Sequence, residues 1–240
     1  MIILIYAIVG PTGVGKTKLS IELAKKLNAE VINCDCMQIY KELNIGTAKI
    51  TKKEMENIKH HMLSIKSITE EYSVFNYQKD ARNILNSLLN QNKNVVIVGG
   101  TGLYLKALLY DYNFNDDNKK NEKIYNFKLI GLTKERENLY EAINNRVNIM
   151  INNGLIEEAK YLYDKYKTSR VLNAAIGYKE FFPYFEDKIK LEEAIENIKK
   201  SSRHYAKRQF TFFNNQFLDI EWFDVSKAKI DDIVKKITEE

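Results

Sequence analysis

A glycine-rich loop between two apolar segments constrains this chain more than any other feature of its sequence. Residues 10–17 read GPTGVGKT, which fits the pattern G-x-x-x-x-G-K-[ST] completely. The run IILIYAIV before the loop indicates a buried β-strand, and GKTKLSIELAKKLN indicates a helix with leucines at helical spacing. A strand, loop and helix in this order present successive backbone N–H groups to an anion at the helix N-terminus. The sequence therefore predicts a phosphate-binding loop.

The side chains of this loop have separate expected tasks. Lys16 adds positive charge for the bound phosphates, and the hydroxyl of Thr17 is a usual ligand of Mg²⁺, so Thr17 is the expected metal ligand. The other residues expected to form the phosphate-binding loop are Gly10, Pro11, Thr12, Gly13, Val14 and Gly15. The motif indicates phosphate binding, but it does not specify the chemistry.

Strand-like and helix-like segments alternate along the first half of the chain. The further predicted strands are AEVINCD, KNVVIVGG, FKLIGL and a late IEWFDV, and the further predicted helices include YSVFNYQKDARNILNSLLNQN and a closing SKAKIDDIVKKITEE. This order predicts an α/β fold of the P-loop NTPase type, with a parallel sheet covered by helices. We expect one domain over residues 1–240, in which 133–213 form an appended, mainly helical part. Residues 112–126 are a short polar connection.

Composition limits the class of protein and its surroundings. Hydrophobic residues make up 45% and charged residues 29% of the chain, which is ordinary for a soluble globular protein. The apolar start MIILIYAIVG is too short to span a bilayer and lacks the basic start of a signal peptide. The two cysteines imply no disulfide framework. We therefore expect a cytoplasmic protein without a membrane partner. A net charge of +5 is compatible with a polyanionic partner.

Asp35 is the first candidate for acid–base chemistry. It follows the second predicted strand, and in open parallel sheets the carboxyl ends of the strands face the ligand crevice. A carboxylate at this place could accept a proton from an attacking nucleophile, although its spacing equally allows a helix cap or a turn residue. Cys34 and Cys36 flank it, but two thiols without a matching pair elsewhere make a poor metal site.

Arg146 is the second candidate, because its helical neighbours are apolar. Ala142, Ile143, Ile149 and Met150 occupy the positions three and four residues away on a predicted helix. An arginine surrounded in this way is expected to face inward and to need an anionic partner. That partner is either a structural carboxylate or a bound phosphate.

Several longer blocks resemble one known family in the same order. They are DCMQIYKELNIGTAK, HHMLSI, VVIVGGTGLYLKALL, LYEAINNRVNIMINNGLIEEAKYL, AAIGYKEFFPYF and SSRHYAKRQFTFF. Together with the phosphate loop, they resemble the tRNA dimethylallyltransferases, also called tRNA isopentenyltransferases or the IPP transferase family. The resemblance covers nearly the whole chain. It implies transfer of a dimethylallyl group from dimethylallyl diphosphate to N6 of the adenosine 3′-adjacent to the anticodon (position 37) of tRNA, with Mg²⁺ as cofactor.

The resemblance also assigns roles to individual residues. It implies that the loop holds the diphosphate of the donor, that Thr17 and Arg146 act on this diphosphate, and that Asp35 is the general base. Thr101 is expected to act beside the reacting base. Further residues that match positions at the target nucleotide are Cys36, Met37 and Gln38. For the tRNA backbone, the helix IKKSSRHYAKRQFTFF offers Lys200, Arg203, Lys207 and Arg208 at helical spacing. We also expect a monomer.

The chain departs from the family pattern in two ways. The helical subdomain that the family inserts after the GGTGLYLKALL block is effectively absent, so the chain resembles a short form. Cys36 stands where a serine is usual, which replaces a good hydrogen-bonding group by a weak one. The alternatives are an adenylate isopentenyltransferase acting on free AMP, ADP or ATP, a small-molecule kinase that binds ATP in the loop, and an RNA-binding protein without activity. His60 and His61 are expected to be structural or to lie at the RNA edge.

Overall fold

The computed structural model describes residues 4–114 and 122–239, and within them six strands form one sheet. The strands are β1 (Ile5–Val9), β2 (Glu30–Asn33), β3 (His60–His61), β4 (Val95–Val98), β5 (Lys128–Thr133) and β6 (Glu221–Asp224). Their order is β3-β2-β4-β1-β5-β6, and each neighbouring pair is parallel. The predicted parallel sheet is confirmed, and it places the loop-bearing strand β1 between β4 and β5.

Helices cover the sheet and build a separate C-terminal part. They are α1 (Lys16–Leu27), α2 (Val74–Asn90), α3 (Gly102–Leu109), α4 (Arg136–Asn152), α5 (Leu155–Tyr166), α6 (Arg170–Ala174), α7 (Phe182–Phe185), α8 (Leu191–Gln216) and α9 (Ile230–Glu239). A single 3₁₀ turn spans Lys179–Phe181. The helical C-terminal part is therefore present, and its last helix continues three residues beyond the predicted end at residue 213.

The alternation of side chains on β1 explains why helices lie on both faces of the sheet. Every residue of β1 is buried. Ala7 and its alternate neighbours belong to the core beneath α2 and α3, whereas Tyr6 and Ile8 belong to the core beneath α1 and α9. A strand buried on both faces reads as a continuous apolar run, which is the pattern that predicted it. The sheet thus holds the phosphate loop rigidly from below.

A third core joins the helical part to the segments that follow β2 and β3. Val147 of α4, Leu162 of α5 and Ile198 of α8 are buried there, and Tyr178 and Phe181 fill its centre. This packing holds α4 and α8 beside the loops at the carboxyl ends of the strands. The helical part therefore forms one wall of the region at the carboxyl ends of the strands.

Two elements differ from expectation. The two-residue strand β3 pairs with β2 although neither of its histidines is apolar, and α3 is a helix that the sequence patterns did not indicate. Of the polar connection over residues 112–126, the part 115–121 lies outside the described residues. On either side of that part, Tyr110 and Lys123 form an antiparallel bridge. Within the described part of the chain, no helix is long and apolar enough to cross a membrane.

Candidate functional site

A cavity of about 410 Å³ lies at the carboxyl ends of the central strands. The turn after β2, the loop after β4 and the helices α4 and α8 enclose it together with the phosphate loop. The predicted site residues that line it are Thr12, Gly13, Gly15, Lys16, Thr17, Asp35, Cys36, Met37, Gln38 and Arg146. Gly10, Pro11 and Val14 are buried beneath the loop and support it from behind. The structure therefore brings most of the predicted residues together.

The backbone of the phosphate loop requires two of its glycines. Gly15 has φ 100° where the loop enters α1, a conformation that suits glycine. At Gly10, a Cβ would lie 2.3 Å from the carbonyl oxygen of Leu132 on the neighbouring strand. The loop can pass this close to β5 only because residue 10 has no side chain.

Lys16 lies beneath the loop with its charge poorly compensated. Its Nζ donates hydrogen bonds to the carbonyl oxygens of Gly10 and Pro11, each at 2.8 Å. Burial and, to a smaller extent, the nearby charge of Arg146 lower the pKa of Lys16 to about 7, although Asp35 opposes both effects. An anion bound in the loop would supply the missing negative charge.

Asp35 has one anchored oxygen and one available oxygen. Oδ1 accepts the backbone N–H groups of Met37 at 3.0 Å and Gln38 at 3.4 Å. Among the described residues, no group donates a hydrogen bond to Oδ2. The turn is also fixed by Thr101, whose Oγ1 accepts the N–H of Cys36 at 3.0 Å. Thr101 lies behind this turn, outside the set of cavity-lining residues.

Arg146 spans two loops without a carboxylate partner. Nη1 donates to Thr12 Oγ1 at 2.7 Å, and Nη2 donates to the carbonyl oxygen of Thr47 at 3.0 Å. Within the described ranges, no ion pair includes this guanidinium, and burial lowers its pKa while Asp35 raises it. Of the two partners that the sequence left open, a structural carboxylate is therefore not found among these residues.

The apolar surroundings of Arg146 are only partly as predicted. Ala142, Ile143 and Met150 line the cavity together with it. Ile149, however, is 58% exposed and does not belong to the buried residues of α4, which are Leu139, Ile143, Val147 and Met150. The expectation that Ile149 belongs to the apolar surroundings of Arg146 was wrong, because the position three residues after Arg146 lies outside the buried side of α4.

The turn that carries Thr47 is held by the helical part. Glu158 of α5 accepts the N–H of Ile45 at 2.8 Å and the hydroxyl of Tyr178 at 2.7 Å. The N–H of Gly46 donates to Tyr178 as well, and a Cβ at Gly46 would lie 2.5 Å from the tyrosine ring. The sequence blocks NIGTAK and AIGYKE are therefore the two sides of one contact.

The basic residues of α8 lie away from the cavity. Arg203 is half-buried, and it donates to Asn144 Oδ1 at 2.7 Å and to Glu196 Oε1 at 3.0 Å. The other three, Lys200, Lys207 and Arg208, are exposed, and none of the four belongs to the cavity wall. A helix rotates by about 100° per residue, so these positions and the cavity face are on different sides of α8.

The residues of α8 that do face the cavity were not predicted. They are Ser202, Tyr205 and Gln209, together with Ile198 one turn earlier. Their spacing of three and four residues within the block SSRHYAKRQ was the signal that could have identified them. Gln209 is 5% exposed and bonded to two loops of the site.

The cysteines and histidines do not form a metal centre. Burial raises the pKa of Cys34 to about 12 and that of Cys36 to about 11, so both thiols are protonated at neutral pH. His61 Nε2 bonds to Glu30 at 2.6 Å, and His60 Nδ1 bonds to the carbonyl oxygen of Ile58. Over residues 4–114 and 122–239, no group of three histidine, cysteine or acidic side chains could hold a metal ion.

Known proteins resemble this chain along nearly its whole length. The family model described as IPP transferase matches residues 38–124 and 113–216. A tRNA dimethylallyltransferase of Anoxybacillus flavithermus is 40% identical over 94% of this chain and 92% of its own. A tRNA delta(2)-isopentenylpyrophosphate transferase structure from Staphylococcus epidermidis has a TM-score of 0.92, with 32% identity over 99% of this chain and 98% of that chain. The full-length tRNA isopentenylpyrophosphate transferase of Bacillus halodurans has a TM-score of 0.90, with 37% identity over 98% and 94% of the two chains.

The alignment with one of these relatives is longer than this chain. The alignment with the Anoxybacillus protein is 286 positions long, whereas this chain has 240 residues. The two segments that match the family model overlap within 113–124. The cavity, the fold and these matches together show that the chain belongs to the IPP transferase family.

Proposed function

We propose that this chain transfers a dimethylallyl group from dimethylallyl diphosphate to N6 of the adenosine 3′-adjacent to the anticodon (position 37) of tRNA, and releases diphosphate. One observation carries this proposal. A single cavity joins an anion-binding loop, a guanidinium that pairs with no described carboxylate, and an aspartate with one oxygen that accepts no hydrogen bond from the described residues. Its relatives bear the name tRNA dimethylallyltransferase.

The cationic end of the cavity suits the leaving group. As the allylic C–O bond breaks, negative charge develops on the diphosphate, and fixed positive groups stabilise that charge. Lys16 and Arg146 supply two such groups beside the loop amides, and neither is paired with a carboxylate of the described residues that a diphosphate would have to displace. We therefore assign the donor diphosphate to the phosphate loop.

The donors around the loop also fit Mg²⁺ as the cofactor. Thr17 is exposed and lines the cavity, so it would hold the ion together with the diphosphate oxygens and water. Mg²⁺ commonly takes few protein ligands when it binds with a phosphorylated substrate, so a cluster of carboxylates is not required. When bound, the ion supplies neutralisation of the diphosphate charge.

Asp35 is the proposed proton acceptor. The adenine amine attacks the allylic carbon, the new C–N bond forms as the C–O bond breaks, and the amine loses its proton to Asp35 Oδ2. The backbone N–H groups on Oδ1 hold the carboxylate in place for this step. The target adenine must leave its stack to reach the cavity, where Cys36, Met37 and Gln38 would surround it.

The surface outside the cavity would hold the tRNA. Lys200, Lys207 and Arg208 are exposed on α8 and are available to phosphates. Arg203 is engaged with α4 and with its own helix, and we propose that it acts on RNA through the position of α8. The proposed setting is the cytoplasm, and the proposed active form is a monomer.

The test is transfer of radiolabelled dimethylallyl diphosphate, with Mg²⁺, to unmodified bulk tRNA or to AMP. Asp35→Asn retains the acceptor for the backbone N–H groups but removes the basic oxygen, so we expect a loss of about 10²–10⁴-fold. Arg136→Met is the matched control for variants of α4, because Arg136 is exposed and contacts the ring of Tyr140. Label that digests to N6-prenylated adenosine supports the proposal. Label in AMP alone, or full activity of Asp35→Asn, would contradict it.

A further inference from the structure

The amide of Gln209 connects the phosphate loop to the loop after β4. Oε1 accepts the backbone N–H of Thr12 at 2.8 Å, and Nε2 donates to the carbonyl oxygen of Gly100 at 2.9 Å. The side chain is buried, so both ends of the amide are used where water has little access. Among the described residues, this is the side chain hydrogen-bonded to the backbone of both loops.

The contact with Gln209 leaves no room for a side chain at Gly100, the second glycine of GGTG. A Cβ at Gly100 would lie 2.1 Å from Gln209 Nε2, which is too close for any side chain. The backbone of residue 100 can therefore approach the amide only as glycine. Position 100 and position 209 depend on each other.

The two loops that Gln209 joins carry the two halves of the proposed reaction. The hydroxyl oxygen of Thr12 accepts a hydrogen bond from the guanidinium of Arg146, on the diphosphate side of the cavity. Thr101, which follows Gly100, accepts the N–H of Cys36 in the turn that holds Asp35. The N–H of Thr12 is bonded to the protein, so the neighbouring amides of the loop are the ones open to phosphate.

We propose that Gln209 is a positioning residue that sets the spacing between the diphosphate loop and the Asp35 turn. This inference rests on the proposed function. In a displacement, the leaving group and the proton acceptor must be aligned with one reacting carbon, and an error of about 1 Å lowers the rate about 100-fold. Gln209 fixes this alignment from α8 without contacting the reacting atoms.

The first test is Gln209→Leu, which removes both hydrogen bonds at similar volume. We expect kcat to fall about 10–100-fold while the KM for dimethylallyl diphosphate changes less than threefold, because alignment is lost and the charges on the diphosphate are retained. If Gln209 only filled space, its replacement would alter the stability of the protein and would leave both kcat and KM unchanged. Gly100→Ala displaces the same amide, so its effect should not add to that of Gln209→Leu.

The second test is Gln209→Glu, which can be switched within one variant. An ionised carboxyl at this position would face the carbonyl oxygen of Gly100, whereas a protonated one would donate to that oxygen and still accept from Thr12. Tyr205 contacts Gln209 directly. The other charged and titratable groups that line the same cavity are Lys16, Asp35, Cys36, His60 and Arg146. We expect its activity relative to the unmodified enzyme to rise at least fivefold between pH 8 and pH 6.

The matched control is Gln216→Leu on the same helix, where the amide is exposed and accepts from Lys106. We expect its kcat to remain within twofold. Hydrogen exchange of the loop peptide provides a readout without activity, and Gln209→Leu should speed the exchange of the Thr12 amide at least tenfold. An active unmodified enzyme with full kcat in Gln209→Leu, or a flat pH ratio in Gln209→Glu, would overturn this inference alone. An inactive unmodified enzyme would overturn the proposed function, and unchanged exchange would then overturn the connection by Gln209 as well.

Discussion

Replacing Arg146 by methionine should make the protein more stable and much less active. The guanidinium is held by two neutral oxygens, Thr12 Oγ1 and Thr47 O, and its charge has no carboxylate partner among the described residues. Each such hydrogen bond from a charged donor contributes about 1.5 kcal/mol. Removing a charge from water costs several kcal/mol per ion, which exceeds the two bonds. We therefore expect Arg146→Met to raise the free energy of unfolding by about 1 kcal/mol, since methionine fills similar space.

The pH dependence of this gain follows from Lys16. Arg146 helps to lower the pKa of Lys16 from 10.5 to about 7, so the variant should raise that pKa. Between about pH 7 and pH 10.5 the unfolded state binds more protons at Lys16 than the folded state, so stability rises with pH in this window. The variant raises the pKa of Lys16 in the folded state, so the pH range over which stability rises becomes narrower. The gain of Arg146→Met should therefore be largest below pH 7 and become smaller toward pH 10.

The assay is thermal unfolding with and without inorganic diphosphate. A gain of about 1 kcal/mol corresponds to about 2–4 °C in Tm for a chain of this size. Diphosphate and Mg²⁺ should raise the Tm of the unmodified protein and have little effect on the variant, whose transfer rate should fall about 10²–10³-fold. Arg136→Met, at the start of the same helix, should change neither property. A Tm that falls in Arg146→Met would refute the reasoning, because the guanidinium would then be a net structural contact.

Three further outcomes follow from the geometry. Binding of dimethylallyl diphosphate at pH 8 should take up a proton, because the bound anion raises the pKa of Lys16 from about 7. Calorimetry in two buffers of different ionisation enthalpy measures this proton uptake, and Lys16→Met should abolish the uptake. Glu158→Gln places an amide opposite the N–H groups of the turn over residues 44–47, so urea unfolding should show a loss of about 2 kcal/mol; no loss would contradict the role of that carboxylate. Cys34 and Cys36 should resist a thiol reagent at pH 8 until guanidinium unfolds the chain, because burial raises the pKa of both thiols to about 12 and 11, and rapid labelling of the native protein would argue otherwise.

The sequence predicted the elements that carry either a short apolar run or an apolar stripe at helical spacing. β1, β4 and β5 are apolar runs, and α1 and α2 carry stripes, so both kinds were identified. α3 was not, because six of its eight residues are buried and an evenly apolar segment has no stripe. β3 was not, because its two histidines have no apolar signal and its pairing with β2 is made by backbone groups.

The site was predictable where its residues belong to local motifs. The phosphate loop was complete in the sequence, and Asp35 was placed by the strand before it. The hydrogen bonds of Arg146 to Thr12 and Thr47 join residues far apart in the chain, and no local pattern indicates such partners. The basic positions of α8 were identified by charge, whereas the side of the helix that faces the cavity is decided by packing against the sheet.

Contacts of β1 and its loop with the helices α8 and α9 also determine at which point of its synthesis the protein can acquire its site. The phosphate loop is synthesised long before α8, yet the N–H of Thr12 has Gln209 as its partner. The hydroxyl of Tyr6 on β1 donates to the carbonyl oxygen of Ile237 in α9. Contacts of such wide sequence separation form late and slow the search for the native state. A nascent chain that ends before α8 would therefore carry the whole phosphate-binding motif without a finished site, and competence for the substrate would arrive only once α8 has been synthesised.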